Sequence, residues 1–272
     1  MAGRFYLITT EVPDINQERL YHFRRVQLTA LFRRRNIWIL CLLLSTVLSG
    51  RVIAQDAHTQ QSKNMLEKQI VSRGVKDPRV LEAMRVVPRH LFVPPTLAGR
   101  AYDDSALPIE EGQTISQPYI VALMTELLNT SPGDSVLEIG TGSGYQAAVL
   151  SRLVKQVYSI EILPALAESA RNRLRELGFA NVAVRTGDGY LGWPELAPFD
   201  GILVTAAPLE IPSALVAQLK RGGRMVLPVG PTSDDQELLV IEKSATSDSI
   251  TQRTVIPVRF VPMVHRADSS RN

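Results

Sequence analysis

Residues Val136–Tyr145 read VLEIGTGSGY and are followed by QAAVLSRL. The apolar residues predict a buried strand, the glycines a turn, and the residues after them the start of a helix. Glycine permits a positive φ and lets a ligand approach the backbone closely. The unpaired N–H groups at a helix start favour an anionic or strongly dipolar group. The chain is therefore predicted to bind a nucleotide-like ligand at the carboxyl end of this strand.

The spacing of the glycines narrows the class of ligand. A dinucleotide fingerprint has the form G-x-G-x-x-G, but here Tyr145 stands at the third position and the glycine comes one residue earlier. This disfavours a nicotinamide-dependent oxidoreductase. The acid before the glycines completes a pattern, Glu-x-Gly-x-Gly-x-Gly, that resembles the first motif of the S-adenosylmethionine-dependent methyltransferases with a Rossmann-like fold. The resemblance implies a cofactor loop made of Glu138, Gly140, Gly142, Ser143 and Gly144. For this segment alone, a structural turn without a ligand stays the alternative.

Strand and helix patterns alternate from residue 135 onward. Apolar runs predict strands at residues 135–139, 156–162, 181–186, 199–207 and 224–230. Helical patterns separate most of these runs, which predicts a parallel sheet with helices on both faces. Two further apolar runs, residues 236–243 and 254–264, follow one another without a helix and predict an antiparallel hairpin at the sheet edge. The order of these two strands is left open.

The predicted fold class is α/β, with a Rossmann-like, doubly wound, mostly parallel seven-stranded sheet and an N-terminal helical extension. Residues 65–87 have helical periodicity, and Pro78 fits the first turn of a second helix. Three parts are expected, namely an extension over residues 1–64, a methyltransferase domain over residues 65–266 and a polar tail over residues 267–272.

The N-terminal residues resemble a secretory signal peptide. Arginines 33–35 precede the apolar run 37–48, which is shorter than the ~20 residues of a membrane span. Export to the periplasm through residues 33–54 and retention are both open, but the cytosolic supply of S-adenosylmethionine favours a cytoplasmic location. Residues 55–64 are polar and predict a linker. The long stretch before the arginines leads us to expect that translation starts downstream of Met1.

Composition argues against nucleic-acid binding, disulfides and metal sites. Residues 1–54 carry a net charge of +5, whereas residues 55–272 carry 22 basic and 24 acidic residues, a net charge of −2. The main domain therefore lacks the basic character of nucleic-acid-binding proteins. Cys41 is the single cysteine of the sequence, which excludes an intrachain disulfide. The four histidines have no metal-ligand spacing, so no metal is expected.

Three predicted strand ends extend the candidate cofactor site. Glu161 lies 21 residues after Gly140, where an acid in this fold accepts the ribose hydroxyls of a nucleotide. The Asp188 carboxylate is placed to accept the adenine amino group, with Gly189 leaving room for the ring. Thr205 and the two alanines after it leave a gap beside the first strand for methyl transfer. Each position also has a structural alternative. Glu161 is then a surface glutamate, Asp188 and Gly189 form an Asp-Gly turn, and Thr205 packs tightly against a helix.

Several further segments resemble the protein-L-isoaspartate O-methyltransferase family. The match runs in order from about residue 65 to residue 266. The shared segments are VPRHLFV (Val87–Val93), ALPI (Ala106–Ile109), GQTISQPY (Gly112–Tyr119), TGDG (Thr186–Gly189), FDGILVTAAP (Phe199–Pro208) and LPVG (Leu227–Gly230). Residues 1–64 lie outside the match.

The resemblance implies transfer of a methyl group from S-adenosylmethionine to the α-carboxylate of an L-isoaspartyl residue in a damaged protein. The ester then collapses to a succinimide, which can reopen to aspartate. A carboxylate with a pKa of ~4 is already ionised at neutral pH. The reaction therefore needs no general base, and catalysis consists mostly of alignment and exclusion of water.

The resemblance also places the serine of GQTISQPY at the active site. The Ser116 hydroxyl is expected to donate to the substrate carboxylate, while Thr114, Ile115 and Gln117 shape a lid over cofactor and substrate. A plain helix N-cap before Pro118 is the structural alternative for Ser116. Residues 259–261 are expected either to contact the substrate main chain or to form an ordinary strand.

Two other functions stay open at this point. A methyltransferase of the same fold acting on a small molecule or RNA is the first, because a fold does not fix a substrate. A binding module that retains the cofactor pocket without catalysis is the second. The expected partners are proteins that carry L-isoaspartyl residues. We expect no nucleic-acid partner, no membrane association except through the N-terminal segment, and a monomer.

Overall fold

The computed structural model describes residues 57–231 and 235–265 of the chain. Its strands are β1 (Leu107–Pro108), β2 (Thr114–Ile115), β3 (Ser135–Ile139), β4 (Gln156–Glu161), β5 (Val182–Thr186), β6 (Phe199–Val204), β7 (Leu219–Val229), β8 (Gln236–Lys243) and β9 (Ile250–Val258). Strands β1 and β2 form a small antiparallel ladder. The other seven form one sheet in the order β5-β4-β3-β6-β7-β8-β9.

The central sheet is parallel over its first five strands and antiparallel at one edge. Strands β5, β4, β3, β6 and β7 pair in parallel, and β8 and β9 pair antiparallel to β7 and to each other. The predicted mostly parallel seven-stranded sheet and its edge hairpin are confirmed. The order left open is settled, since β8 lies beside β7 and β9 forms the edge.

Helices cover both faces of this sheet. They are α1 (residues 57–65), α2 (Pro78–Val86), α3 (Pro118–Leu128), α4 (Tyr145–Ser151), α5 (Pro164–Glu176) and α6 (Ser213–Gln218). Neighbouring residues of β3 face opposite cores: Val136 packs in a cluster with α2 to α5, and Leu137 packs in a second cluster with α6. Burial on both faces explains why apolar residues stand at successive positions of β3.

Residues 57–64, which the sequence predicts as linker, are helical. The helix α1 continues through a π-helical turn (Leu66–Ile70) and a short 3-10 turn (Val71–Arg73). Its inward stripe begins with His58, which stacks on His90 with the ring centroids 4.1 Å apart, and includes the buried Ser62. Because polar side chains fill this stripe, hydropathy alone does not reveal the helix.

The last strand of the sheet, β9, begins and ends earlier than the sequence predicts. The prediction of a strand over 254–264 is corrected to β9 (Ile250–Val258). Ile250 pairs with Lys243, so the turn between β8 and β9 is short. After β9 the chain leaves the sheet, and Pro262 forms an isolated bridge with Ala207. This bridge holds residues 261–263 next to Ala207, beyond the carboxyl end of β6.

The predicted signal-like segment 33–54 and the polar tail 267–272 lie outside the described residues. In the part of the chain that the structure describes, no helix has the length and apolarity needed to span a membrane.

Candidate active site

A cavity opens at the carboxyl ends of β3, β4 and β6, where the sequence predicts the ligand. Its volume is about 520 Å³, which is typical of small-molecule sites. The loop after β3, the end of β4, the segment around β2 and residues 261–264 build its wall. The predicted site residues that line it are Thr114, Ile115, Ser116, Gly140, Gly142, Ser143, Glu161, Gly189 and Thr205. Three predicted residues, Glu138, Gly144 and Asp188, do not line it.

The glycine loop crosses from β3 to α4 with left-handed backbone geometry. The φ angles of Gly140, Gly142 and Gly144 are +93°, +52° and +88°. The Gly140 N–H donates to the Ile160 carbonyl at 2.8 Å, which ties the loop to β4. Gly144 faces α5, since a Cβ there would lie 3.2 Å from the Leu174 side chain. Gly144 therefore allows α4 and α5 to pack closely and does not contact the cavity.

Thr205 fastens the end of β6 to the glycine loop. Its hydroxyl donates to the Gly140 carbonyl at 2.6 Å and lies 3.0 Å from the Ile139 carbonyl. The residue lines the cavity, and its tight contact is with the glycine loop rather than with a helix.

Glu161 connects β4 to both the glycine loop and α5. Its carboxylate accepts hydrogen bonds from the Gly142 N–H at 2.9 Å and the Leu163 N–H at 3.1 Å. The residue is 5% exposed and faces the cavity. Burial raises the pKa of Glu161, and the Gly142 and Leu163 N–H groups oppose that rise. A ligand hydroxyl in the cavity can therefore meet an acceptor that the backbone already holds in place.

Glu138 lies beneath the glycine loop. It is fully buried and stands opposite Ser159 in the β3–β4 register, and its carboxyl group accepts a hydrogen bond from the Ser159 hydroxyl. The Ser159 and Thr141 hydroxyls are 2.6 Å apart, so the carboxyl group supports the loop through two hydroxyls. Burial raises the pKa of Glu138 to about 8. This geometry favours support of the glycine loop by Glu138 over contact with the ligand.

Asp188 precedes the lining residue Gly189 and caps a short 3-10 turn. Its carboxylate accepts a hydrogen bond from the Tyr190 N–H at 2.9 Å and lies 3.0 Å from Nδ1 of His265. The His265 ring stacks on Tyr190 with centroids 4.1 Å apart. A Cβ at Gly189 would overlap the Ile139 side chain, so glycine is required for close packing here. Over residues 57–231 and 235–265, no three His, Cys, Asp or Glu side chains are grouped to hold a metal ion.

A second cavity of about 520 Å³ shares part of its wall with the first. The residues that line both cavities are Thr114, Ser116, Thr205 and Val261. Arg259 and Phe260 line only the second cavity. Ser116 and Thr205 therefore lie at the boundary between the two cavities.

Ser116 lies between β2 and α3, in neither a strand nor a helix. It is not the N-cap of α3, because Gln117 holds that position and makes no side-chain cap hydrogen bond. The Ser116 carbonyl accepts a hydrogen bond at 2.7 Å from Nη2 of Arg89. Its hydroxyl has no hydrogen-bond partner among the described residues, which leaves this donor available at the junction of the cavities.

Sequence reasoning missed two arginines that hold the site together. Arg89 is fully buried, and Nη1 of Arg173 donates to the Ser143 carbonyl at 2.9 Å. Arg89 lies inside the VPRHLFV segment, but a buried arginine produces no hydropathy signal. Tyr145 is 1% exposed and packs under the Arg89 guanidinium, so it belongs mainly to the core.

Comparisons with known proteins place this geometry in one family. The model of the protein-L-isoaspartate(D-aspartate) O-methyltransferase family matches residues 60–268. The protein-L-isoaspartate O-methyltransferase of Synechococcus sp. is 56% identical over 217 residues, which cover 78% of this chain and 88% of that protein. The protein of the same name from Opitutus terrae is 50% identical over 229 residues, which cover 84% of this chain and 97% of that protein.

Solved structures agree with the fold. A structure named protein-L-isoaspartate O-methyltransferase is 31% identical, with a TM-score of 0.67 and coverage of 75% of this chain and 66% of that chain. A Plasmodium falciparum structure in complex with S-adenosyl-L-homocysteine is 24% identical, with a TM-score of 0.63 and coverage of 76% of this chain and 98% of that chain. At that identity the second structure supports the fold alone.

Proposed function

Because the chain belongs to the protein-L-isoaspartate(D-aspartate) O-methyltransferase family, we propose that it methylates the α-carboxylate of L-isoaspartyl residues in damaged proteins. S-adenosylmethionine supplies the methyl group. The observation that carries the proposal is the junction of two cavities at Ser116 and Thr205. Such a junction suits the transfer of a group between two separately bound molecules.

The first cavity fits the methyl donor. Its floor is the glycine loop, whose Gly140, Gly142 and Ser143 line the cavity, so a ligand there can contact the loop. Glu161 faces the cavity as an acceptor for ribose hydroxyls. Asp188 and Gly189, at the end of β5, are assigned to the adenine.

The second cavity is assigned to the isoaspartyl segment. We assign Arg259, Phe260 and Val261, which line it, to contacts with the substrate main chain. The Ser116 hydroxyl donates a hydrogen bond to the α-carboxylate and holds one of its oxygens toward the first cavity. Thr114, Ile115 and Gln117 cover the junction and reduce the access of water.

The chain's residues need no proton-transfer step. The substrate carboxylate is ionised at neutral pH, because its ordinary pKa is ~4. Alignment of the two reactants and exclusion of water then account for most of the expected catalysis. The methyl ester collapses to a succinimide when the neighbouring backbone nitrogen displaces methanol, and hydrolysis of the succinimide yields some normal aspartate.

Location, assembly and domain limits form a second part of the proposal. We assign the protein to the cytoplasm, because S-adenosylmethionine is made there, with export through residues 33–54 as the alternative. We propose a monomer, with a methyltransferase domain close to the expected residues 65–266 that also includes α1. Fractionation of cells that produce the full chain, with N-terminal sequencing of the mature protein, distinguishes the two locations.

The test of the reaction is methyl transfer from labelled S-adenosylmethionine to an isoaspartyl peptide, with the aspartyl peptide of the same sequence as control. The full chain is compared with Ser116→Ala. The matched control is Ser131→Ala, an exposed serine outside both cavities. We expect base-labile ester on the isoaspartyl peptide alone.

The variants separate the reaction from the role of Ser116. Loss of one charge-assisted hydrogen bond, worth about 1.5–3 kcal/mol, predicts a 10- to 100-fold loss of kcat/KM in Ser116→Ala. Ester on neither peptide, with S-adenosylmethionine still bound, would overturn the repair function and redirect the search to small-molecule or RNA acceptors. Full activity of Ser116→Ala would remove only the proposed role of this serine.

A further inference from the structure

Arg89 is a buried cation whose hydrogen bonds go to backbone carbonyls. Its side chain is fully buried. Nε donates to the Ala101 carbonyl at 2.7 Å, and Nη2 donates to the Ser116 carbonyl at 2.7 Å. The guanidinium carbon lies 4.8 Å from the centre of the Tyr145 ring. Nη1 has no hydrogen-bond partner among the described residues.

Stability alone does not account for an arginine at this position. Burial of a charge is costly unless an opposite charge and hydrogen bonds compensate for it. No described carboxylate forms an ion pair with Arg89, and burial lowers its pKa. An apolar side chain of similar length would fill this space without that cost, so the role of the guanidinium lies in the groups that it binds.

The Arg89 guanidinium contacts both the segment that carries Ser116 and the helix that follows the glycine loop. Ser116 lies at the junction of the cavities, in a stretch of two residues between β2 and α3 that has no regular secondary structure. Tyr145 is the first residue of α4, directly after the glycine loop. Arg89 therefore bonds to the backbone that carries the candidate serine and packs on the helix that follows the cofactor loop.

We infer that Arg89 is a positioning residue that sets the orientation of Ser116 relative to the glycine loop. The inference rests on the proposed role of Ser116. The hydrogen bond to the Ser116 carbonyl fixes the backbone at Ser116, and a shift of that backbone moves the hydroxyl relative to the junction of the cavities. Misplacement of a catalytic group by about 1 Å costs on the order of 100-fold in rate.

The test compares Arg89→Met and Arg89→Lys in the full chain. Methionine removes every donor but fills most of the space, and lysine keeps the charge but replaces the planar fork with one ammonium group. Arg152→Met is the matched control, because Arg152 packs its guanidinium carbon 4.7 Å from the Phe179 ring and is exposed. Three quantities are measured: kcat and KM for the isoaspartyl peptide, the Kd of S-adenosylhomocysteine, and the urea midpoint of unfolding.

We expect Arg89→Met to lower kcat by about 10- to 100-fold, while the Kd of S-adenosylhomocysteine changes by less than about threefold. Arg89→Lys should retain more activity, and Arg152→Met should match the wild type. A purely structural role predicts instead that kcat and cofactor binding decline together with the folded fraction, and that result would overturn the inference. Failure of both Arg89 variants to fold would also overturn it.

A double-mutant cycle tests whether Arg89 acts through the serine. If it does, Arg89→Lys costs much less in the Ser116→Ala background than in the wild type, because the oriented hydroxyl is already absent. Equal costs in both backgrounds would overturn the inference while leaving the role of Ser116 intact. If Ser116→Ala has no effect of its own, the proposed role of Ser116 fails first and this inference fails with it.

Discussion

The Thr205 hydroxyl donates to the Gly140 carbonyl at 2.6 Å and occupies the space that a side chain on Gly140 would need. One oxygen thus fixes the loop and requires glycine at its first position. The φ of +93° at Gly140 adds a backbone requirement to the steric one, because an L-residue in left-handed geometry costs roughly 1–2 kcal/mol.

Gly140→Ala should therefore destabilise the protein by more than backbone strain alone. Gly178→Ala is the control, because Gly178 has a φ of +79° and open space around its Cβ position; it should cost only the ~1–2 kcal/mol of strain. Adding Thr205→Ala to Gly140→Ala should recover the steric part of the loss. Urea unfolding of the wild type, Gly140→Ala, Thr205→Ala, the double variant and the control Gly178→Ala measures these differences. Strictly additive effects of the two substitutions would contradict the steric account.

Substitution of Glu161 should weaken cofactor binding. Its carboxylate is held by the Gly142 and Leu163 N–H groups while it faces the cavity. Glu161→Gln removes a charged acceptor, and loss of a charge-assisted hydrogen bond of about 1.5–3 kcal/mol corresponds to a 10- to 100-fold higher Kd. Titration calorimetry with S-adenosylhomocysteine measures this Kd. Glu168→Gln, on the exposed surface of α5, should bind like the wild type. If Glu161→Gln binds S-adenosylhomocysteine with the Kd of the wild type, Glu161 does not accept a hydrogen bond from the ribose hydroxyls.

The sequence predicts those strands and turns that are determined by residues close together in the chain. Parallel strands buried on both faces carry apolar side chains at successive positions, as Val136 and Leu137 do in β3, and glycines mark the turn after β3. The pairing Glu138↔Ser159 is different, because it depends on the register of two strands. Without that register, an acid next to a glycine loop is easily taken for a ligand contact, although here it lies below the loop.

Two other features depend on long-range contacts that no local pattern encodes. Arg89 is buried because carbonyls from two distant segments meet its guanidinium. The chain after Val258 leaves the sheet because Pro262 bridges to Ala207, and the apolar sequence of 259–264 still resembles a strand. In both cases tertiary contacts override the local preference of the sequence.

The stability of the wild type relative to Glu138→Gln should depend on pH. Burial raises the pKa of Glu138 from 4.5 to about 8. Between these values the folded protein holds a proton that the unfolded chain has released, so stability falls as the pH rises from 4.5 toward 8 and levels off above 8. Glu138→Gln lacks this dependence, and the titrations of groups remote from Glu138 are common to both proteins. Urea midpoints at several pH values measure the difference.

The relative midpoint of Glu138→Gln should rise steadily across this pH window. Glu176→Gln, at an exposed position of α5, controls for the loss of a carboxylate. Parallel stability curves for the wild type and Glu138→Gln would show that Glu138 is ionised in the folded state, contrary to the effect of its burial.

Asp188 should determine the preference for adenine. Its carboxylate is fixed by the Tyr190 N–H at 2.9 Å next to the lining residue Gly189, and a carboxylate accepts from the adenine amino group but repels the carbonyl oxygen of hypoxanthine. The wild type should bind S-adenosylhomocysteine at least about tenfold more tightly than its hypoxanthine analogue, a difference of about 1.4 kcal/mol. Asp188→Asn should reduce this ratio toward one, since an amide both donates and accepts. His265→Ala is the comparison, because it removes the ring 3.0 Å from Asp188 while leaving the carboxylate; it should keep the preference. An unchanged ratio in Asp188→Asn would place the recognition of adenine elsewhere in the cavity.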